Sequence, residues 1–223
     1  MGVWERLREA LQREERGVLL TVVAGEGLGA KLLVLEGGER VGDESLAAFA
    51  EVEQSGTVEA EGRTVLAEVV APPLRLVVFG AVDVAEALCA YARVLGWRTV
   101  VVDPRPGLAT RERLPSAGEI VVAWPDEDAV ARLIDERTAV VSLVHEERLD
   151  VPAMATALRR GAFYVGALGS KRAQEKRRVA LEALGVEGID RIVGPVGLPL
   201  GGNTPPEIAL SIAAEILSRA NGG

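Results

Sequence analysis

The stretch RLVVFGAVDVAEALCAYARVLGWRTVVVDPR, residues 75–105, sets the architecture. Residues 75–79 form a compact apolar run that stops at Gly80. Val84, Leu88, Tyr91 and Leu95 then recur on one side, which predicts a helix over 84–95. Residues 98–102 are a second apolar run, closed by Asp103. Strand, helix and strand in so short a span require a crossover, and crossovers between parallel strands are right-handed. Downstream the alternation continues, with strands expected at 119–123, 138–144 and 163–165 and helices at 126–136, 151–160 and 171–184. The 138–144 run is continuous in Val and Leu, as a strand buried on both faces should be. Thr204-Pro205-Pro206-Glu207 reads as a capping box with proline at the first helical positions, and Ile208, Ile212 and Ile216 follow at intervals of four.

Upstream of this segment the pattern differs. Val3, Leu7 and Leu11 predict an opening helix, and β-rich pieces lie at 18–23, 31–35 and 64–70. Glycine-rich turns separate them at 25–29 and 37–38, with a short helix through Leu46, Phe49 and Ala50. Pro72-Pro73 interrupts both ladder hydrogen bonding and helix, and marks a domain boundary. The expected organisation is a small α+β domain over 1–71 followed by an α/β domain with a parallel sheet over 74–223.

Composition narrows the function. The 223 residues carry 25 Lys+Arg against 33 Asp+Glu, a net charge of −8, which disfavours generic nucleic-acid binding. One Cys and one His exclude a disulfide framework and an all-protein zinc site of three or four N/S ligands. No apolar stretch approaches the ~20 residues of a membrane span. Glu5 and Glu9 stand where an export signal would be basic and then apolar, so a cytoplasmic chain is expected.

In an open parallel sheet, ligands gather beyond the carboxyl ends of the strands, where strand order reverses. Those ends are Gly80, Asp103, His145 and Gly166, and the order 3-2-1-4-5 would make Gly80 and His145 face one crevice with Asp103 beside it. Residues 80–85, GAVDVA, sit where a dinucleotide fingerprint belongs, but Val82 replaces its second glycine and Asp83 opposes an incoming phosphate. The loop is therefore either a tight turn or an NAD(P) site. Asp103-Pro104-Arg105 is either a local ion-paired turn or a ligand contact, and His145 is either structural or the one group titrating near neutrality. Cys89 reads as buried packing.

The best anion trap is Gly166-Ala167-Leu168-Gly169-Ser170-Lys171-Arg172, where glycines free the backbone, Ser170 can cap, and a helix start presents unpaired N–H groups. Residues 171–178 carry five basic side chains and one acidic one. The loop over 194–203 is rich in glycine, for close packing or as a ligand lip.

In order and spacing these pieces resemble the XdhC/CoxI family, accessory factors of xanthine dehydrogenase and related molybdenum hydroxylases. The matching segments are VFGA (78–81), VVDPR (101–105), Val144-His145, YVGALGSKR (164–172), and GPVGL (194–198) through TPPEIA (204–209) to SIAAEI (211–216). Thr21-Val22-Val23 and Gly29-Ala30-Lys31 match more weakly. The resemblance implies a Rossmann-like domain behind a small N-terminal one. It also implies binding of molybdenum cofactor, its protection during sulfuration and its delivery to the apo-hydroxylase, with homodimerisation and contact with a cysteine desulfurase.

Departures fall on loops. The family's Gly-x-Gly-His is Gly80-Ala81-Val82-Asp83, its Gly-Ser-x-Pro-Arg loop is missing at 24–28, a later Gly-rich stretch is cut to Val41-Gly42-Asp43, and Pro199 replaces an acid. The reading that results is a cofactor chaperone without turnover. The cofactor's phosphate is expected at Gly169, Ser170, Lys171 and Arg172, with Gly80, Asp103, Arg105 and His145 lining the crevice. An NAD(P)-binding oxidoreductase or sensor, and a degenerate protein-interaction module, are the alternatives.

Overall fold

The computed structural model describes Gly2 to Gly222 except Glu53, Glu61 and His145. The chain divides into two compact units between Pro72 and Pro73. Among the described residues, no helix is long and apolar enough to cross a membrane.

The first unit holds α1 (Val3–Gln12) and strands β1 (Gly17–Gly25), β2 (Lys31–Leu35), β3 (Arg40–Gly42), β4 (Gly56–Ala60) and β5 (Arg63–Val70), with a 3₁₀ turn over Glu44–Phe49. The sheet is antiparallel in the order β3-β2-β1-β5-β4. Alternation along β1 and β2 splits the apolar side chains between its faces. Leu19, Leu33 and Leu35 join Ala10 of α1, whereas Leu20, Val22 and Leu32 join Leu46 and Phe49 of the 3₁₀ turn. Of the expected α1 stripe, Val3 and Leu7 pack against the Ala10 cluster, but the stripe ends there. Leu11 is exposed, while Ala10 and Arg6 are buried. Arg6 can be buried because Glu39 takes its Nε and Nη2 at 2.9 and 2.7 Å and Glu15 pairs with the same Nη2.

The second unit runs β6 (Arg75–Phe79), α2 (Asp83–Val94), β7 (Arg98–Val102), β8 (Glu119–Val121), α3 (Asp128–Ala131), β9 (Thr138–Ser142), α4 (Glu147–Arg159), β10 (Tyr164–Ala167), α5 (Lys171–Ala183), β11 (Ile192–Val193) and α6 (Pro205–Ala220). All six strands are parallel in the order β11-β10-β9-β6-β7-β8, a Rossmann-like doubly wound sheet. Both faces are covered. Leu76 and Val78 of β6, with Val101 and Val141, pack on Leu88 of α2 and on Ile212 and Ile216 of α6. Val77 and Phe79, with Val102 and Val140, pack on Met154 of α4 and Leu181 of α5.

Two helices depart from expectation. The helix expected over 126–136 is a single α-turn, after which Leu133 and Ile134 donate three residues back, to Val130 and Ala131. The carbonyls of Leu133 and Ile134 accept from the Arg75 and Arg160 side chains instead, which ends the helix while Val130 and Ile134 stay buried. Conversely, α4 starts at Glu147, before the expected 151, and carries Pro152 in its second turn. Proline there removes the donor to the Arg148 carbonyl. Continuous burial of Leu149, Asp150 and Val151 offsets that loss.

The α6 core face gives the first test. Ile212 is fully buried and Leu210 is 46% exposed. Ile212→Ala should cost about 2–5 kcal/mol and Leu210→Ala within about 0.5 kcal/mol of zero in urea unfolding. Equal costs would contradict the assignment of the buried face.

Candidate functional site

The carboxyl ends of β6, β9 and β7 lie side by side, because Phe79 pairs with both Ser142 and Val102. Gly80 follows at φ +109, and a Cβ there would meet Val144 Cγ1 at 2.7 Å. The turn out of β6 therefore packs against the 143–144 backbone, and only glycine fits it. His145, expected to face Gly80 across this crevice, lies outside the described residues.

Asp103 is buried beside that turn. Its Oδ2 accepts from the Ala81 N–H at 2.8 Å and from Arg105 Nη2 at 2.7 Å. Its Oδ1 accepts from the Arg105 N–H at 2.9 Å and Nε at 2.8 Å. A carboxylate has about four acceptor positions, and all are filled. Burial pushes the carboxyl up, but the Arg105 fork and the two backbone N–H bonds outweigh it and hold Asp103 below the ordinary carboxylate range. Asp103 is thus a brace between the first turn and the second strand, and Arg105 is the member of the pair that faces outward, its side chain 41% exposed. The Glu146 charge acts on the same guanidinium, so the β7 and β9 ends share one rim. Glu146 also pairs with Arg148, which lies 5.8 Å from the centre of the Trp124 ring.

The start of α2 suits an anion less well, although the Asp83 and Val84 N–H groups have no acceptor among the described residues. The Ala81 N–H is spent on Asp103, the cap residue is Val82, and Asp83 and Glu86 occupy the first turn. Those carboxylates already oppose the positive end of the helix dipole. The electrostatics of this turn weigh against a pyrophosphate here.

The start of α5 is the opposite case. Ser170 caps the helix by accepting from the Ala173 N–H at 3.3 Å. The carbonyls of the preceding loop are drawn inward: Gln174 Nε2 donates to Ala167 at 3.0 Å and Gly169 at 3.4 Å, and Arg177 Nη2 donates to Leu168 at 2.9 Å. The N–H groups of Gly169, Ser170, Lys171 and Arg172 have no acceptor among the described residues. Arg177 is buried and ion-paired with the buried Asp150 of α4, and Arg178 pairs with Glu175 and Glu182. Of the five basic side chains on α5, Lys171, Arg172 and Lys176 are left exposed and without a carboxylate among the described residues. Ser170, Arg172 and Lys176 border a depression of about 290 Å³, with Glu147 and Asp150 on its far wall.

In the 194–203 segment three glycines serve close packing, while residues 199–203 are exposed. A Cβ at Gly194 would meet Gln174 Cδ at 2.1 Å, one at Gly197 (φ +101) Ser211 Oγ at 2.4 Å, and one at Gly202 Glu207 Cβ at 2.4 Å. Glu215 accepts from the Gly197 N–H at 2.7 Å and from the Tyr164 hydroxyl at 2.6 Å, joining the segment to β10 and α6. Cys89 is buried, and burial pushes its thiol up to about 11, so it is inert packing. Among the described residues no group of three or more His, Cys, Asp or Glu is placed to hold a metal ion.

The structure therefore gathers Gly80, Asp103 and Arg105 at one crevice, and Gly169 to Arg172 beyond the end of β10, three strand positions from β7. At ~4.8 Å per strand the separation is about 14 Å. The loop-fixing roles of Gln174, Arg177 and Asp150 do not follow from the sequence pattern. Their only signal there is polar residues on the inner side of two amphipathic helices.

Residues 76–216 match the family model described as the XdhC Rossmann domain. A protein of Bacillus subtilis (strain 168), described as a probable subunit of xanthine dehydrogenase, is 30% identical over 146 residues, 66% of this chain and 43% of that protein. The molybdenum cofactor insertion chaperone PaoD of Escherichia coli (strain K12) is 29% identical over 149 residues, 66% of this chain and 40% of that one. The chain thus spans less than half the length of these relatives. A solved structure described as a xanthine dehydrogenase from Bacillus halodurans superposes with a TM-score of 0.80 at 24% identity, over 96% of this chain and 65% of that one, which shows a shared fold.

Asp103→Asn should lower stability near neutrality by about 1–3 kcal/mol, through loss of charge-assisted bonds. Because the folded carboxyl titrates below its ordinary ~3.9, its bonds contribute fully above that pH and are lost as pH falls through the folded value. The variant should show a flatter acid limb in urea unfolding followed from about pH 7 to about pH 3. A parallel loss of stability in both proteins would remove Asp103 as the brace.

Proposed function

This chain belongs to the XdhC Rossmann-domain family, and from that membership we propose that it is an accessory protein that binds molybdenum cofactor and passes it to a molybdenum hydroxylase of the xanthine dehydrogenase type. Two relatives, one named for xanthine dehydrogenase and the other as a cofactor insertion chaperone, support this direction. The observation that carries it in this molecule is the row of N–H groups over 169–172, without acceptors among the described residues, flanked by Lys171, Arg172 and Lys176.

That donor set suits a phosphate. Backbone N–H groups at a helix start and cationic side chains are what a phosphate monoester needs, and the loop carbonyls are already turned to Gln174 and Arg177. At the other end of the crevice Arg105, partly exposed, offers the Nη N–H groups that Asp103 does not take to the acceptor edge of a pterin, on a rim that also feels the Glu146 charge. Gly80 keeps the floor between them at backbone height. Bound there, the cofactor carries the metal centre whose redox chemistry serves the client enzyme. The residues of this chain hold, shield and release.

Release is built into the same geometry. The three cations are solvent-exposed, so their hold on a phosphate is screened by salt and is not locked by burial. A buried ion pair does exist nearby, Arg177 with Asp150, but it fixes the loop rather than the ligand.

The test is to purify the full chain from a host that makes molybdopterin and to quantify the extracted pterin by fluorescence. The chain should retain pterin, and Lys171→Ala with Arg172→Ala should retain at least about tenfold less, a loss of about 1.4 kcal/mol or more. Raising the salt concentration should weaken retention by the parent chain. A parent that retains no pterin, or a double variant that retains as much as the parent, would overturn the reading.

A further inference from the structure

At the opposite end of the parallel sheet, by the amino ends of β6, β7 and β8, lies a cavity of about 630 Å³. Arg75, Arg93, Arg98 and Arg132 line it, Trp97 forms part of one wall, and Glu119 is the one carboxylate in the lining. Four arginines thus border one concavity in a chain whose net charge is −8. Arg75 and Arg98 are direct partners in the β6–β7 register, placing like charges on neighbouring strands. Neither of these two is without a partner. Asp135 answers Arg75 at 3.4 Å, and the Arg75 Nη1 also donates to the Leu133 carbonyl at 3.2 Å. Arg93 and Arg132 are exposed and have no carboxylate partner among the described residues.

A simpler account covers part of this. Arg93 lies in the last turn of α2 and Arg132 caps α3, and cations at helix C-termini oppose the negative end of the dipole. That account explains each arginine singly. It does not explain why both border one cavity with two more arginines from strand ends.

We propose that this cavity is a second binding site, for a small molecule carrying a diphosphate group. Its volume lies in the ~300–1,000 Å³ range of small-molecule pockets. Planar guanidinium forks match phosphate oxygens two at a time, so several of them favour a multiply charged phosphate over a single carboxylate. Trp97 supplies a partly buried aromatic wall for the uncharged part of such a ligand. The site is independent of the proposed cofactor role, since none of its lining residues belongs to the crevice or to the start of α5.

Trp97 is also a reporter. The chain has three tryptophans, and Trp4→Phe with Trp124→Phe leaves Trp97 alone. Inorganic pyrophosphate, titrated into that full-length protein, should change Trp97 emission saturably. Arg93→Gln with Arg132→Gln, both exposed positions, should raise the dissociation constant at least about tenfold. Lys171→Ala with Arg172→Ala should leave it within about twofold, because those residues lie at the far ends of the strands. No saturable change in Trp97, or binding that ignores the arginine variants, would overturn the proposal, as would an acidic peptide displacing pyrophosphate at equal concentration.

Discussion

A carboxylate with every acceptor position filled governs the crevice of this molecule. Asp103 receives the Ala81 N–H from the turn after β6 and three donors from Arg105, so the first crossover and the second strand are joined at one buried point. The same bonds consume what a nucleotide would need. Ala81 supplies the N–H of the turn just before the helix cap Val82, and Asp103 is the acid placed where a ribose hydroxyl would bind. With Val82 and Asp83 following, the first helix start is neutralised from inside. The Rossmann-like sheet is kept, and the charge at its usual phosphate position is acidic.

The helix start best suited to an anion lies two strands along the sheet from β6, at α5. That displacement rests on a second buried group. Arg177 reaches from α5 to Asp150 of α4 and to the Leu168 carbonyl, and Gln174 takes the carbonyls on either side. With the carbonyls held, the N–H groups over 169–172 face outward. Gly194 is part of the same arrangement, because any side chain there would displace Gln174. One long glycine-bearing loop, one proline-started helix and one basic helix therefore act together to present a single row of donors.

Much of this could be read from the residues. Short Val- and Leu-rich runs with glycine or aspartate at their ends mark buried parallel strands, and β6, β7 and α6 lie close to where periodicity puts them. The chain's weak elements were hidden for a common reason. Strands β3 and β4 are both sheet edges, mostly exposed and paired on one side, so apolar alternation need not mark them. The α3 region keeps its apolar spacing but loses its helix to arginine side chains from β6 and α4, a tertiary effect. Buried Arg6, Arg177 and Asp150 look like surface residues in any composition count. Only the partners brought by folding, Glu15 and Glu39 for Arg6 and each other for the second pair, make their burial affordable. Asp103 was visible as a strand-end acid, but its role as a brace was not, since the spacing cannot tell a ligand contact from an Ala81 contact.

The central claim is that an anionic ligand is held at the start of α5 and not at the start of α2. A crystal structure of the full chain grown with inorganic phosphate measures this directly. The account predicts phosphate density within hydrogen-bond distance of the backbone N–H groups of residues 169–172 and of Lys171 or Arg172. Density instead at Ala81 to Asp83, with the Asp103–Ala81 bond broken, would contradict it.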